Sequence, residues 1–182
     1  MSRLIPLAAL ILGIFCQSVL GQEAKPQPVA RLITSITPVT RVSITSPPVE
    51  PNEIERRAFE QTNAARIQHG LPPFVWDSDV CRMARIHSEK MSRQGFLSHV
   101  TPEGLGLRDR IHAVGIEKFI VLGENIAYNQ GYDDPGAFAV ERWMLSFKHR
   151  ANILSPEFRA MAIGSFVAAD GSVYLTQTFI TR

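Results

Sequence analysis

Trp143-Met144-Leu145-Ser146-Phe147-Lys148-His149-Arg150-Ala151-Asn152-Ile153-Leu154 sets a hydroxyl, an imidazole and a guanidinium into an apolar frame. Upstream, Ser98-His99 and Gly123-Glu124-Asn125 add a second imidazole and a carboxylate beside small or apolar residues. This composition predicts a polar site set into a core, because a carboxylate in apolar company is unfavourable unless a cation or donors meet it. The two imidazoles are the expected partners of Glu124, and the carboxylate should raise their pKa values in return. Ser146 and His149 are three residues apart, which predicts one shared helical face. Arg150 points elsewhere and is expected to pair a carboxylate or cap carbonyls.

Three chemistries fit these residue types. A Ser–His–Glu hydrolase would use Ser146 as nucleophile, His149 as base and Glu124 as orienter, although Ser146 is not on a G-x-S-x-G elbow. A metal site would take His99, His149 and Glu124 as ligands, a set that suits catalytic zinc with an open fourth position. No H-E-x-x-H is present, so spacing alone does not commit the site to metal. A polar cavity for a ligand or a transient cation is the third.

Working outward, Asp134-Pro135 predicts a helix start, cap then Pro, with Phe138, Trp143 and Ser146 carried on toward His149. Phe119 to Leu122 reads as a strand leading into a Gly123-Glu124-Asn125 turn. A short helix is expected from Leu107 to Ala113. Ala162 to Ala168 and Ser172 to Ile180 flank Asp170-Gly171, the signature of a β-hairpin. Toward the amino terminus, Asn52 and Glu55 form a capping box for a helix whose inner stripe is Ile54, Ala58, Thr62 and Ala65. Asp77 starts a second helix that ends at Gly95, with Val80, Ala84, His87 and Met91 on one face. His87 there reads as a hydrogen-bonded core or rim histidine, and Cys81 as a buried small hydrophobe. Helices first and a hairpin last imply an α+β sandwich.

Residues 1–21 read as a secretory signal peptide: Arg3, an apolar Leu4 to Phe15, and small residues around Gly21. Residues 22–51 read as a Pro/Thr/Ser-rich linker, and residues 52–182 as one domain. Cleavage would remove one charged side chain, Arg3, and lower the formal net charge from +2 to +1. So small a charge gives no electrostatic case for nucleic acid or an anionic membrane as partner. Cys81 would be the remaining cysteine, so an exported domain would rest on an ordinary hydrophobic core without an intrachain disulfide.

The order of several motifs resembles the CAP superfamily, the cysteine-rich secretory, antigen 5 and pathogenesis-related-1 proteins, in its bacterial SCP-like branch. The resemblance spans about Glu53 to Ile180. It includes Asn63-x-x-Arg66, Leu71-Pro72-Pro73-Phe74-Val75-Trp76-Asp77, Ala84-x-x-His87-Ser88, Phe96-x-x-His99, Gly123-Glu124-Asn125, Trp143-x-x-Ser146-x-x-His149-Arg150, Asn152-Ile153-Leu154 and Tyr174-x-Thr176-Gln177-x-Phe179. It implies a three-layer α-β-α sandwich. It also implies a cavity with two histidines and two glutamates, able to hold divalent cations in some members. His99, Glu124 and His149 match three of the four, and Ser146 stands where the second glutamate would be.

The resemblance therefore implies an exported, secreted, periplasmic or cell-surface protein, with a cavity lined by His99, Glu124, Ser146 and His149. The expected role is non-enzymatic binding of a small ligand, lipid or cell-surface partner. The alternative is a divalent-metal-dependent hydrolase, with zinc, magnesium or calcium on His99 and His149 and Glu124 as ligand or general base. A cell-wall or matrix adhesion module is the third.

Overall fold

A computed structural model describes residues 47–182. The expected signal peptide and residues 22–46 of the expected linker lie outside the described residues. The elements run α1 (Glu53–Gln68), β1 (Val75–Trp76), α2 (Ser78–Gln94), α3 (Leu107–Ala113), β2 (Val121–Gln130), α4 (Pro135–Leu145), α5 (Phe147–Ile153), β3 (Ala160–Val167) and β4 (Ser172–Thr181). The capping box at Asn52 and Glu55 starts α1, Asp77 caps α2, and Gly95 ends α2 with φ 66°. Asp134 caps α4, with Pro135 in its first turn.

The sheet has the order β1-β3-β4-β2. β3 and β4 form the expected antiparallel hairpin, β2 pairs antiparallel to β4, and β1 runs parallel to β3. Successive residues of a strand face opposite sides, and here each side meets helices. Met161, Ile163, Leu175 and Phe179 join Ala58 of α1, Trp143 of α4 and Ile153 of α5 in one core. Ala162 and Ile180 join Val80, Cys81 and Met83 of α2 and Ile111 of α3 in the other. The α-β-α sandwich is thus two cores sharing one sheet.

Gly164 lets α2 lie directly on that sheet, because a Cβ there would overlap the backbone of Ala84 and Arg85. Glu55 is wholly buried on α1. Arg85 of α2 meets it at 2.8 and 2.6 Å, and the Ser165 amide of β3 donates to it at 2.9 Å. That carboxylate ties three elements together, a role the apolar stripe of α1 did not reveal. Arg82, Trp76 and Arg85 donate to the carbonyls of Pro47, Val49 and Glu50, so the chain already rests on the domain before Asn52.

Two local expectations are corrected. Gly123-Glu124-Asn125 is not a turn but the middle of ten-residue β2, with Glu124 paired to Thr178. A Cβ at Gly123 would lie 2.6 Å from Phe158, so the glycine serves close packing and not a bend. The helix expected to run on to His149 breaks at Ser146, which is extended at φ −91° and ψ 123°. Ser146 and His149 therefore do not share a helical face. Finally, Val75-Trp76, too short for an alternation signal, forms edge strand β1.

Candidate functional site

Strand alternation decides what each residue of Gly123-Glu124-Asn125 does. Glu124 faces the α2–α3 side of the sheet and Asn125 the α4–α5 side. The Glu124 side chain is 3% exposed, and a buried carboxylate needs compensation. His99 meets Oε1 through Nδ1 at 2.9 Å. Arg110 of α3 donates Nη1 to Oε2 at 2.8 Å and Nη2 to Oε1 at 2.9 Å. Nη2 also reaches the His99 carbonyl at 2.9 Å, so one guanidinium holds both the carboxylate and the backbone of the histidine loop. Burial alone would push the Glu124 carboxyl up, but the bonds from His99 and Arg110 outweigh it and hold the group below its ordinary range.

On the opposite side, Asn125 anchors α5. Its amide donates to the His149 carbonyl at 3.1 Å and to Gln177 Oε1 at 2.9 Å. Gln177 donates in turn to Thr62 of α1 at 2.9 Å. Asn152 of α5 closes the set, donating to Asn125 Oδ1 at 2.9 Å and to the Glu124 carbonyl at 3.2 Å. The final carbonyl of α5 belongs to Arg66, whose Nη1 reaches Ile153 at 2.7 Å and, just past the helix, Ser155 at 2.9 Å. The carbonyl-capping role expected of Arg150 is thus filled by Arg66, and Arg150 itself is exposed.

The expected residues are brought together unequally. His99 and Glu124 are bonded directly. The ring of His149 is held below the ordinary imidazole range by burial and by the charge of His99, the reverse of the rise expected from a neighbouring carboxylate. Ser146 is half-buried at the α4–α5 junction, and its hydroxyl makes no capping bond to α5. Glu124 orients His99 and not His149, so the Ser–His–Glu arrangement is not assembled. Arg110 is the residue that sequence reasoning missed. Its signal was available, a cation on a short helix between His99 and Glu124, but no spacing rule links α3 to β2.

Both Glu124 oxygens are engaged by a guanidinium, which already supplies the positive charge. Among the described residues, no group of three or more His, Cys, Asp or Glu side chains is placed to hold a metal ion. His99, His149 and Glu124 do not fit a three-ligand metal centre.

The model of the cysteine-rich secretory protein family, CAP, matches residues 59–179. The chain belongs to the CAP family. Two Bacillus subtilis proteins are similar to it: the membrane protein YlbC is 36% identical over 128 residues, 70% of this chain and 34% of YlbC. YkwD is 34% identical over 138 residues, 76% of this chain and 51% of YkwD. The chain thus spans about a third to a half of the length of these relatives. Among solved structures, an extracellular protein containing a SCP domain from Bacillus anthracis is 30% identical, with a TM-score of 0.63. That match covers 75% of this chain and 45% of the other. The CAP domain seen here has the α+β sandwich of that family, and no helix among its described residues is long and apolar enough to cross a membrane.

Proposed function

We propose that this chain is exported, with residues 1–21 as signal and 22–51 as linker, and that its CAP domain is a binding module rather than a hydrolase. The observation that supports this reading is the engagement of both Glu124 oxygens by Arg110. A carboxylate held by a guanidinium and kept below its ordinary pKa is a weak base. What remains for a partner is the imidazole of His99, whose side chain is 53% exposed. Its Nδ1 is engaged by Glu124, so Nε2 is the ring nitrogen left, in a fixed orientation, to a partner. Ser146 and His149 add a hydroxyl and a second ring to a surface for a small ligand, lipid or cell-surface component. The extracellular protein of Bacillus anthracis and the membrane protein YlbC support a location outside the cytoplasm.

The test follows the His99 Cε1–H resonance of the purified chain against lipid vesicles and soluble cell-wall glycan fragments, alongside a peptide and ester panel. The expected result is a shift with one binder, weakened about tenfold or more by His99→Ala, and no turnover of the panel. Turnover that disappears in a folded Glu124→Gln chain overturns the reading. So does a His99 resonance that no lipid or glycan moves.

A further inference from the structure

On the far side of Arg110, between α2 and α3, Met83, Ile86, Leu105, Ala113 and Val114 wall a cleft of about 160 Å³. His87, Arg110 and Lys90, whose ammonium lies 3.9 Å from Glu103, complete the lining. The first two each carry a buried side-chain nitrogen with no partner among the described residues, His87 Nδ1 and Arg110 Nε. Sequence reading expected His87 to be fully hydrogen-bonded, and half of its ring is not. Buried polar atoms are ordinarily paired. An apolar cleft with a few convergent polar groups is the common form of a small-molecule site.

The two nitrogens have opposite needs. His87 Nε2 lies 3.0 Å from the Ser98 carbonyl. A carbonyl only accepts, so Nε2 carries the proton and Nδ1 of the neutral ring is a bare acceptor. Burial and the charge of Arg110 favour that neutral ring. Arg110 is the mirror case. Its Nη1 and Nη2 are given to Glu124 and the His99 carbonyl, which leaves Nε–H as a donor. One donor and one acceptor on residues of the same cleft are the complement of a hydroxyl group. The volume corresponds to about five water-sized groups, the scale of a single six-membered ring or a short chain.

We propose that the α2–α3 cleft binds a small apolar molecule bearing one hydroxyl, a phenol or short alcohol, whose oxygen accepts from Arg110 Nε–H and whose proton goes to His87 Nδ1. This site uses none of the surface offered by His99 Nε2, so it stands or falls separately from the function proposed above.

The probe pair is phenol and toluene, alike in shape and different in the hydroxyl. Both are titrated into the purified chain while the Met83 and Ile86 methyl resonances are followed. Phenol is expected to saturate these shifts about tenfold more tightly than toluene. Ala113→Trp, at the exposed mouth, should abolish the response, and His87→Phe should bring phenol down to the level of toluene. Equal binding of the two probes by the native chain overturns the proposal. It is equally overturned if neither probe moves these methyls, which assigns the nitrogens to water alone, or if Ala113→Trp leaves phenol binding intact. Should His87→Phe fail to fold, the probe comparison and Ala113→Trp decide the matter.

Discussion

Arg110 donates one hydrogen bond to each carboxylate oxygen of Glu124, at 2.8 and 2.9 Å, with both side chains nearly removed from solvent. The charge that neutralises the buried strand glutamate therefore comes from α3, and the histidine contributes a single bond. A fixed cation at this point makes the carboxylate a structural anchor for the His99 loop.

Breaking this pair leaves a buried charge without its partner. Arg110→Met should destabilise the domain by about 3–5 kcal/mol, the range for removing one member of a buried pair. The combined Arg110→Met, Glu124→Leu chain should recover part of the loss, since no lone charge remains. Urea unfolding of the variants checks both. A loss under about 1 kcal/mol in Arg110→Met would place the pair in the class of solvated surface bridges.

Acid should weaken the native chain through the same carboxylate. Its folded pKa is depressed, so its contribution is complete above the ordinary glutamate value and is lost as pH falls through the depressed one. The stability difference between the native chain and Glu124→Gln should therefore shrink on acidification across that window. Denaturant midpoints measured from neutral pH down to about pH 3 give the curve, and a difference independent of pH would sink the idea.

The histidines give a second titration. Burial, then the charge of His99, lowers the His149 pKa. Burial, then Arg110, lowers that of His87. Each ring is neutral in the fold at a pH where the unfolded chain begins to bind protons, so each favours the fold less as pH falls below the ordinary imidazole value. Proton NMR should place both midpoints below that value. His99→Ala should move the His149 midpoint upward and leave it still depressed, because desolvation is the larger cause.

Cys81 is wholly buried, and burial pushes its thiol up to about 12. The thiolate is the reactive form, so Cys81 in the native protein should resist iodoacetamide near neutral pH and alkylate fully once the protein is denatured. Rapid labelling of Cys81 in the native chain, read by peptide mapping, would contradict the closed α2–β3 core.

The two sheet glycines should respond differently to a methyl group. Gly123→Ala meets the ring of Phe158, a side chain able to shift, and overpacking of this kind costs about 1–3 kcal/mol. Gly164→Ala meets the backbone of Ala84 and Arg85, which cannot yield without displacing α2. The Gly164 variant should show the larger fall in melting temperature, and equal falls would mean α2 is free to move off the sheet.

Much of this fold was legible along the chain. Asn52, Asp77, Asp134-Pro135 and Asp170-Gly171 announce helix starts and a hairpin through local hydrogen bonding and dihedral preference, and the structure places elements at each. The motif order was specific enough to indicate the family. Less legible were features whose cause is distant in sequence. Gly123 looks like a turn residue until the ring of Phe158 is placed against it. Ser146 looks like mid-helix until Asn125 and Asn152 draw α5 toward β2 as a separate element. Glu55 is legible as a capping-box residue and Arg66 as part of a motif, but not that one also clamps α2 to β3 and the other caps α5.

The order of motifs from Asn63 to Phe179 was enough by itself to indicate the CAP family, and Ser98-His99 with Gly123-Glu124-Asn125 to predict a buried glutamate beside an imidazole. Local propensity, capping and motif order are properties of nearby residues, and they survive without coordinates. Which cation satisfies Glu124 is a different kind of fact. It depends on α3 crossing the α2 side of the sheet over strand β2, where a guanidinium can reach both oxygens. Only the tertiary packing could decide between a His–Glu–His cluster and a Glu124–Arg110 anchor that leaves His99 to face the solvent.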